Sequence, residues 1–200
     1  MSRESYFVLE DNVKSYLPLE WEIELPDFVA DGYGANYPPE NLLLEHYSVK
    51  AKEYKLVEDY RIEGNIASDA VLDICSGLGI PFVSSKLDIV LYRNKIPLKK
   101  YNYFYPKDRI LLMDLSQSSF TFAQVVSKDG TCMEKSTDHF DVIERFVVKN
   151  DVSSKLFYCK EICKIVCSGA FKEEFERNQL TGIDFVPIDK TYRYDPWAGW

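Results

Sequence analysis

The clearest periodicity lies near the start of the chain. Leu19-Glu20-Trp21-Glu22-Ile23-Glu24-Leu25 alternates apolar and acidic residues, the period of a strand with one buried and one wet face. Its wet face would be a row of carboxylates. Tyr6-Phe7-Val8-Leu9 reads as a short first strand closed by the turn-forming Glu10-Asp11-Asn12. Residues 26–39 contain Gly32, Gly34, Asn36 and Pro38 and read as a loop carrying Tyr33 and Tyr37. Further strands are expected within 46–62 and over 101–105, 109–115, 120–126, 141–148 and 155–158, with a hairpin turn at Ser127-Lys128-Asp129-Gly130. Residues 68–75 read as a short helix ended by Gly77 and Gly79.

Two stretches 84 residues apart suggest an internal repeat. Ile80-Pro81-Phe82-Val83 leads to Ser84, then Leu87 and Leu91, then Ile96 and Tyr101; Lys164-Ile165-Val166-Cys167 leads to Ser168, then Phe171 and Phe175, then Leu180 and Phe185. Each predicts a strand, a serine N-cap, an amphipathic helix and a second strand. The expected fold is α+β, with mixed, largely antiparallel sheets, a few short helices and room for two pseudo-repeated strand-helix-strand units. One domain spanning 1–200 is expected, since 46% apolar residues suffice for one core. Any division would fall into lobes 1–75 and 76–200.

Charge sharpens this picture through its distribution. Residues 1–45 hold ten acids and two bases, so the whole net charge of −8 sits there, while the remainder is balanced. A nucleic-acid binder needs a basic face to neutralise phosphates, and this is the reverse. Acids on a surface serve solubility, and an acidic region also attracts a basic partner. No basic-apolar leader opens the sequence and no apolar run nears the roughly 20 residues that span a bilayer. Five cysteines, an odd number, fit reduced thiols. A cytoplasmic location follows as the expectation.

Candidate chemistry is sparse. Cys159, Cys163 and Cys167 recur every four residues and would share a face in a helix or in a strand, yet lack the second ligand pair of a structural zinc site, so buried thiols are expected. His46 and His139 have no nucleophile beside them in sequence, and Asp138-His139 reads as surface. Gly77-Leu78-Gly79 lacks the glycine and Gly-Lys-Ser/Thr spacings of phosphate-binding loops and reads as a turn. No catalytic, cofactor-binding or metal-binding residue is assigned, and an enzyme is not expected. The tail 192–200 carries four aromatics, which either dock on the body or face a partner.

The closing segment resembles a known family. Ile165-Val166-Cys167-Ser168, Phe171-Lys172-Glu173-Glu174-Phe175 and Leu180-Thr181-Gly182-Ile183-Asp184-Phe185-Val186-Pro187-Ile188-Asp189 resemble the closing motif of immunity proteins encoded beside bacterial polymorphic toxins. Tyr6-Phe7-Val8-Leu9 and Ile80-Pro81-Phe82-Val83-Ser84-Ser85-Lys86-Leu87 resemble other segments of that family. In these motifs Ser168 would cap a helix, Phe171 and Phe175 would pack it, and Gly182 would turn the chain into the last strand.

The resemblance implies direct binding and neutralisation of a cognate toxin domain, without catalysis. A basic nuclease is one candidate partner, because an acidic strand and tyrosine-bearing loop can mimic phosphate. Glu20, Glu22, Glu24, Asp27, Asp31, Tyr33 and Tyr37 are the expected contact region. A homodimer is compatible with this reading, whereas nucleic acid, membrane and cofactor are not expected as partners. The alternatives are a small-molecule-binding or hydrolytic domain built around a pocket between the repeats, and a structural subunit docking through its aromatic tail.

Overall fold

The computed structural model describes residues 4–12, 17–26, 29–30, 36–37, 40–126 and 132–198, with side chains described for all of these except 29–30, 36–37, 123–126 and 132–139. In chain order the elements are β1 (Tyr6–Asp11), β2 (Leu19–Trp21), β3 (Val29–Ala30), β4 (Asn36–Tyr37), β5 (His46–Ala51), β6 (Tyr60–Arg61), β7 (Ile66–Ser68), α1 (Asp69–Leu78), β8 (Phe82–Val90), β9 (Tyr101–Pro106), β10 (Arg109–Ile110), β11 (Ser119–Val126), β12 (Cys132–Arg145), β13 (Leu156–Cys159), β14 (Lys164–Ser168), α2 (Gly169–Arg177) and β15 (Ile183–Pro187). The fold is α+β. A six-stranded sheet runs β2-β5-β8-β9-β7-β6, a five-stranded sheet runs β10-β13-β14-β1-β15, and β11-β12 and β3-β4 are separate two-stranded ladders. Most pairings are antiparallel; β5 with β8 and β10 with β13 are parallel.

Two strand-helix-strand units are present, at an offset different from the expected one. Ser84 caps no helix: it lies inside β8, whose residues alternate between exposed (Ser84, Lys86, Asp88) and buried (Val83, Ser85, Leu87, Ile89). Leu87 and Leu91 satisfy a helical spacing from Ser84, but Val83 and Ile89 complete a period of two over nine residues, and the strand wins. The matching units are instead β7-α1-β8 and β14-α2-β15. In each, the two strands flank a third that is antiparallel to both: β9 between β7 and β8, and β1 between β14 and β15. Both are split β-α-β arrangements. Their registers correspond, with Ser68 opposite Tyr101 and Ser168 opposite Tyr6. The preceding hairpins also match, each closing a four-residue loop whose last residue, Asn65 or Cys163, has positive φ.

Neither serine caps by its side chain. The first helical N–H is taken up by the flanking strand instead, Asp69 N donating to Lys100 O (3.2 Å) and Gly169 N to Ser5 O (2.8 Å). Helix α1 continues through Gly77 and ends at Gly79, which supplies the left-handed residue of the C-cap. Helix α2 buries Phe171 and Phe175 as its spacing predicts, and the two helices lie against each other.

Strands β13 and β14 of the five-stranded sheet are buried on both faces, which explains their unbroken apolar runs. Leu156, Tyr158, Ile165, Cys167 and Leu9 face the larger core, shared with both helices and the six-stranded sheet. Phe157, Cys159, Val166, Tyr6 and Val8 face a second core with Leu112, Met113, Ile143 and Phe146. The larger core draws on residues from Leu9 to Ile183, and a boundary after residue 75 would cut α1 in two.

The sheets are joined at the β6 and β15 edges. Asp59 N (2.7 Å) and Tyr60 N (3.1 Å) both donate to Thr181 O, and the Asp11 carboxylate accepts Ile62 N and Glu63 N, each at 2.8 Å. Asp59, only 4% exposed, accepts from Ser68 Oγ (3.0 Å), Lys99 Nζ (2.7 Å), Thr181 N (3.0 Å) and Thr181 Oγ1 (3.2 Å). These bonds satisfy a buried carboxylate that would otherwise be costly. The Leu-Thr-Gly element of the closing motif is thus the clasp between the two units.

Candidate interaction surface

The acidic strand is shorter than its alternation predicts. The ladder with β5 covers Leu19 to Trp21, followed by one further bond from Glu22 N to Ser48 O (3.0 Å). The Trp21 ring packs edge-on against Tyr47 (5.6 Å) and Tyr103 (6.0 Å), and the chain bends at 22–23. Ile23, expected in the core, is 56% exposed. Glu20, Glu22 and Glu24 are all solvent-exposed, Glu20 on edge strand β2 and the other two just past its end.

Two of these carboxylates are matched by lysines from β5 and its extension. Lys52 Nζ lies 2.7 Å from Glu20 Oε1, and Lys50 Nζ lies 3.5 Å from Glu22 Oε1. The hydrogen bond from Lys52, followed by its charge, holds the Glu20 carboxyl below its ordinary range and raises Lys52 reciprocally. The expected bare acidic row therefore holds two exposed ion pairs, and among the described residues Glu24 has no ion-pair partner. Such pairs are weak in water, and a strongly basic partner can displace the lysines. Of the other expected contact residues, Tyr37 belongs to β4, paired with Val29, and its side chain is outside the described residues. Asp27, Asp31 and Tyr33 also lie outside them.

The cysteines do not share a face. Cys159 is buried in the second core, Cys167 in the larger core on the other side of the sheet, and Cys163 is exposed in the intervening turn. Cys132 falls among the residues whose side chains are not described. Burial pushes the Cys75 thiol up to about 12, Cys167 higher still and Cys159 well above its ordinary value, so these three are poor nucleophiles. Cys159 Sγ donates to Glu161 Oε2 (3.2 Å), and Glu161 Oε1 accepts Met113 N (2.7 Å), a pairing that satisfies a buried acid within the second core. Among the described residues, no three His, Cys, Asp or Glu side chains gather as a metal cage requires. His46 Nε2 contacts Asp88 Oδ2 (2.7 Å) at an exposed position; His139 is outside the described side chains.

The aromatic tail docks in part. Tyr192 and Tyr194 pack against the second core, Tyr194 bridges to Ile143, and Trp197 Nε1 donates to Asp141 Oδ1 (2.9 Å) while its ring stays exposed. Trp200 is outside the described residues.

One surface escaped the sequence reading. The loop between β8 and β9 exposes Ile96 and Leu98, which with Lys99 and Lys100 form one wall of a groove of about 830 Å³ also lined by His46, Lys86, Asp88 and Asp69. Its signal in the sequence is Arg93-Asn94-Lys95-Ile96-Pro97-Leu98-Lys99-Lys100, where apolar residues follow no core period and four bases stand without an acid. Among the described residues, no helix is long and apolar enough to cross a membrane. Compared with models of protein families and with curated proteins, the chain matches none.

Proposed function

We propose that the chain is an immunity protein that binds a cognate secreted toxin domain and covers its active surface. The carrying observation is the exposed carboxylate row Glu20, Glu22 and Glu24 on and beyond an edge strand, in the segment that holds the whole net negative charge. The resemblance of the closing motif to polymorphic-toxin immunity proteins supports the same reading. Attraction of a basic toxin to this edge sets the encounter rate, and the aromatic and aliphatic residues around it supply contact area. Chemistry by the chain itself has no part in this action; steric occlusion does the work.

The test is co-expression with the C-terminal domain of the large secreted protein encoded beside the chain, followed by stopped-flow association of the purified pair. Protection is expected, with Glu20→Lys, Glu22→Lys and Glu24→Lys together slowing association about tenfold or more at low salt. Lys52→Ala, which frees Glu20, is expected to accelerate it. Association indifferent to all four substitutions removes the acidic edge from the reading; failure to protect removes the reading itself.

A further inference from the structure

The loop between β8 and β9 is fastened at both feet and open at its tip. Leu91 N donates to Lys95 O (2.8 Å), Tyr92 N to Glu53 O (2.9 Å) and Asp69 N to Lys100 O (3.2 Å), while Lys99 is tied to Asp59 at 2.7 Å. Arg93 and Asn94 both adopt positive φ, a conformation disfavoured for residues with a Cβ. The loop is therefore shaped rather than slack, yet its tip, Ile96-Pro97-Leu98, presents Ile96 at 80% and Leu98 at 101% exposure. Beside the first foot, Tyr54 and Tyr92 are also exposed, with ring centroids 4.8 Å apart. Apolar exposure of this kind marks contact sites.

The charge around this tip has one sign. Residues 89–107 hold five bases and no acid. Lys99 is committed to Asp59, but Arg93, Lys95 and Lys100 are exposed, Arg93 lying 5.6 Å from the Tyr92 ring centre. The neighbouring acids are already matched: Asp88 by His46 (2.7 Å), Asp69 by Asn102 Nδ2 (2.8 Å), and Glu20 and Glu22 of the acidic edge by Lys52 and Lys50. The uncompensated charge is positive, so the complementary surface is anionic. Aliphatic side chains outermost, tyrosines beside them and bases around them match the layers of a lipid surface, from acyl chains through the interface to anionic headgroups. A stable protein contact needs about 800 Å² per partner and a matching shape, whereas a bilayer receives a narrow projecting tip without one. We propose that the β8–β9 loop docks the chain peripherally on an anionic bilayer, Ile96 and Leu98 entering the acyl boundary and Arg93, Lys95 and Lys100 facing the headgroups. The expectation of no membrane partner rested on the lack of an apolar run long enough to span, and a surface contact needs none. This contact uses residues other than the toxin-binding edge and does not depend on that reading.

Co-sedimentation of the full chain with unilamellar vesicles tests this. Binding is expected to vesicles of equal parts phosphatidylglycerol and phosphatidylcholine, weakening as salt is raised and at least about tenfold weaker on phosphatidylcholine alone. Leu98→Ser is expected to weaken binding about tenfold or more, because it removes the apolar group that enters the lipid, with an unchanged circular dichroism spectrum since the side chain is exposed. Lys95→Glu with Lys100→Glu should have an effect of similar size. Leu98→Trp should keep binding, and its added tryptophan emission should shift to the blue when anionic vesicles are supplied. A chain that stays in the supernatant with anionic vesicles at low salt overturns the proposal. So do binding indifferent to Leu98→Ser, an emission of the Leu98→Trp variant that vesicles leave unshifted, and tighter binding to poly-glutamate than to anionic vesicles, which would assign the loop to an acidic protein.

Discussion

Gly182 meets the carbonyl oxygen of Tyr60 so closely that a Cβ at this position would overlap it, and its φ of +116° is one that L side chains rarely adopt. The constraint is tertiary, because Tyr60 belongs to β6 of the other sheet. Gly182→Ala therefore carries both a backbone and a steric penalty, and should cost about 3 kcal/mol or more. Urea unfolding should show a lower midpoint at an unchanged slope. A loss within about 0.5 kcal/mol would mean that the two sheets do not approach this closely.

The clasp around Asp59 should behave as one unit. Asp59→Ala leaves the Thr181 N–H and Ser68 hydroxyl without their acceptor and is expected to cost about 3 kcal/mol. Lys99→Met leaves a buried carboxylate with neutral donors alone and should cost about 2 kcal/mol. The double variant should lose less than the sum by about 1 kcal/mol or more, read from a double-mutant cycle. Strict additivity would show that the ion pair contributes no coupling.

Two corresponding tyrosines predict alkaline sensitivity. Tyr6 donates its hydroxyl to Val152 O (2.8 Å) and Tyr101 to Glu58 O (2.9 Å). Burial, then the charge of Glu4, pushes Tyr6 from 10 up to about 12; burial, then Asp59 and Glu58, pushes Tyr101 higher still. A folded-state value above the unfolded one means that the unfolded chain releases its proton first. Their contribution is fully present below pH 10 and is lost as pH rises through about 12. Tyrosinate absorbance and circular dichroism recorded together should show late-ionising tyrosines whose titration coincides with loss of structure. Complete titration near 10 with the fold intact would contradict the burial of both hydroxyls.

Thiol labelling distinguishes the cysteines. Site-resolved alkylation of the native chain should modify Cys163 quickly and leave Cys75, Cys159 and Cys167 untouched until denaturant is added. Equal labelling at Cys163 and Cys167 would place both on one accessible face.

The comparison between expectation and structure turns on a few residues. The α2 unit was legible because Phe171 and Phe175 stand at helical spacing behind a strand and a serine. The first copy was misplaced because Ser84, Leu87 and Leu91 fit a helix while Val83, Leu87 and Ile89 fit a strand; pairing of β8 with both β5 and β9 decided between them. The alternation runs four residues past the end of the strand, since nothing local marks the point where Trp21 turns onto Tyr47 and Tyr103. Its neutralising partners, Lys50 and Lys52, lie some thirty residues away in sequence.

What the chain determines locally is the kind of element: apolar period, helix-ending glycine and charge balance are properties of neighbours in sequence, so they survive without knowledge of the fold. Which elements become partners is settled only when distant segments meet, because a strand needs an edge, a buried carboxylate needs donors and a glycine is required only where another backbone comes close. Ser68 and Ser168 correspond because β9 and β1 pass beside them, and Ile96 and Leu98 are exposed because the surrounding hydrogen bonds hold their loop away from the core.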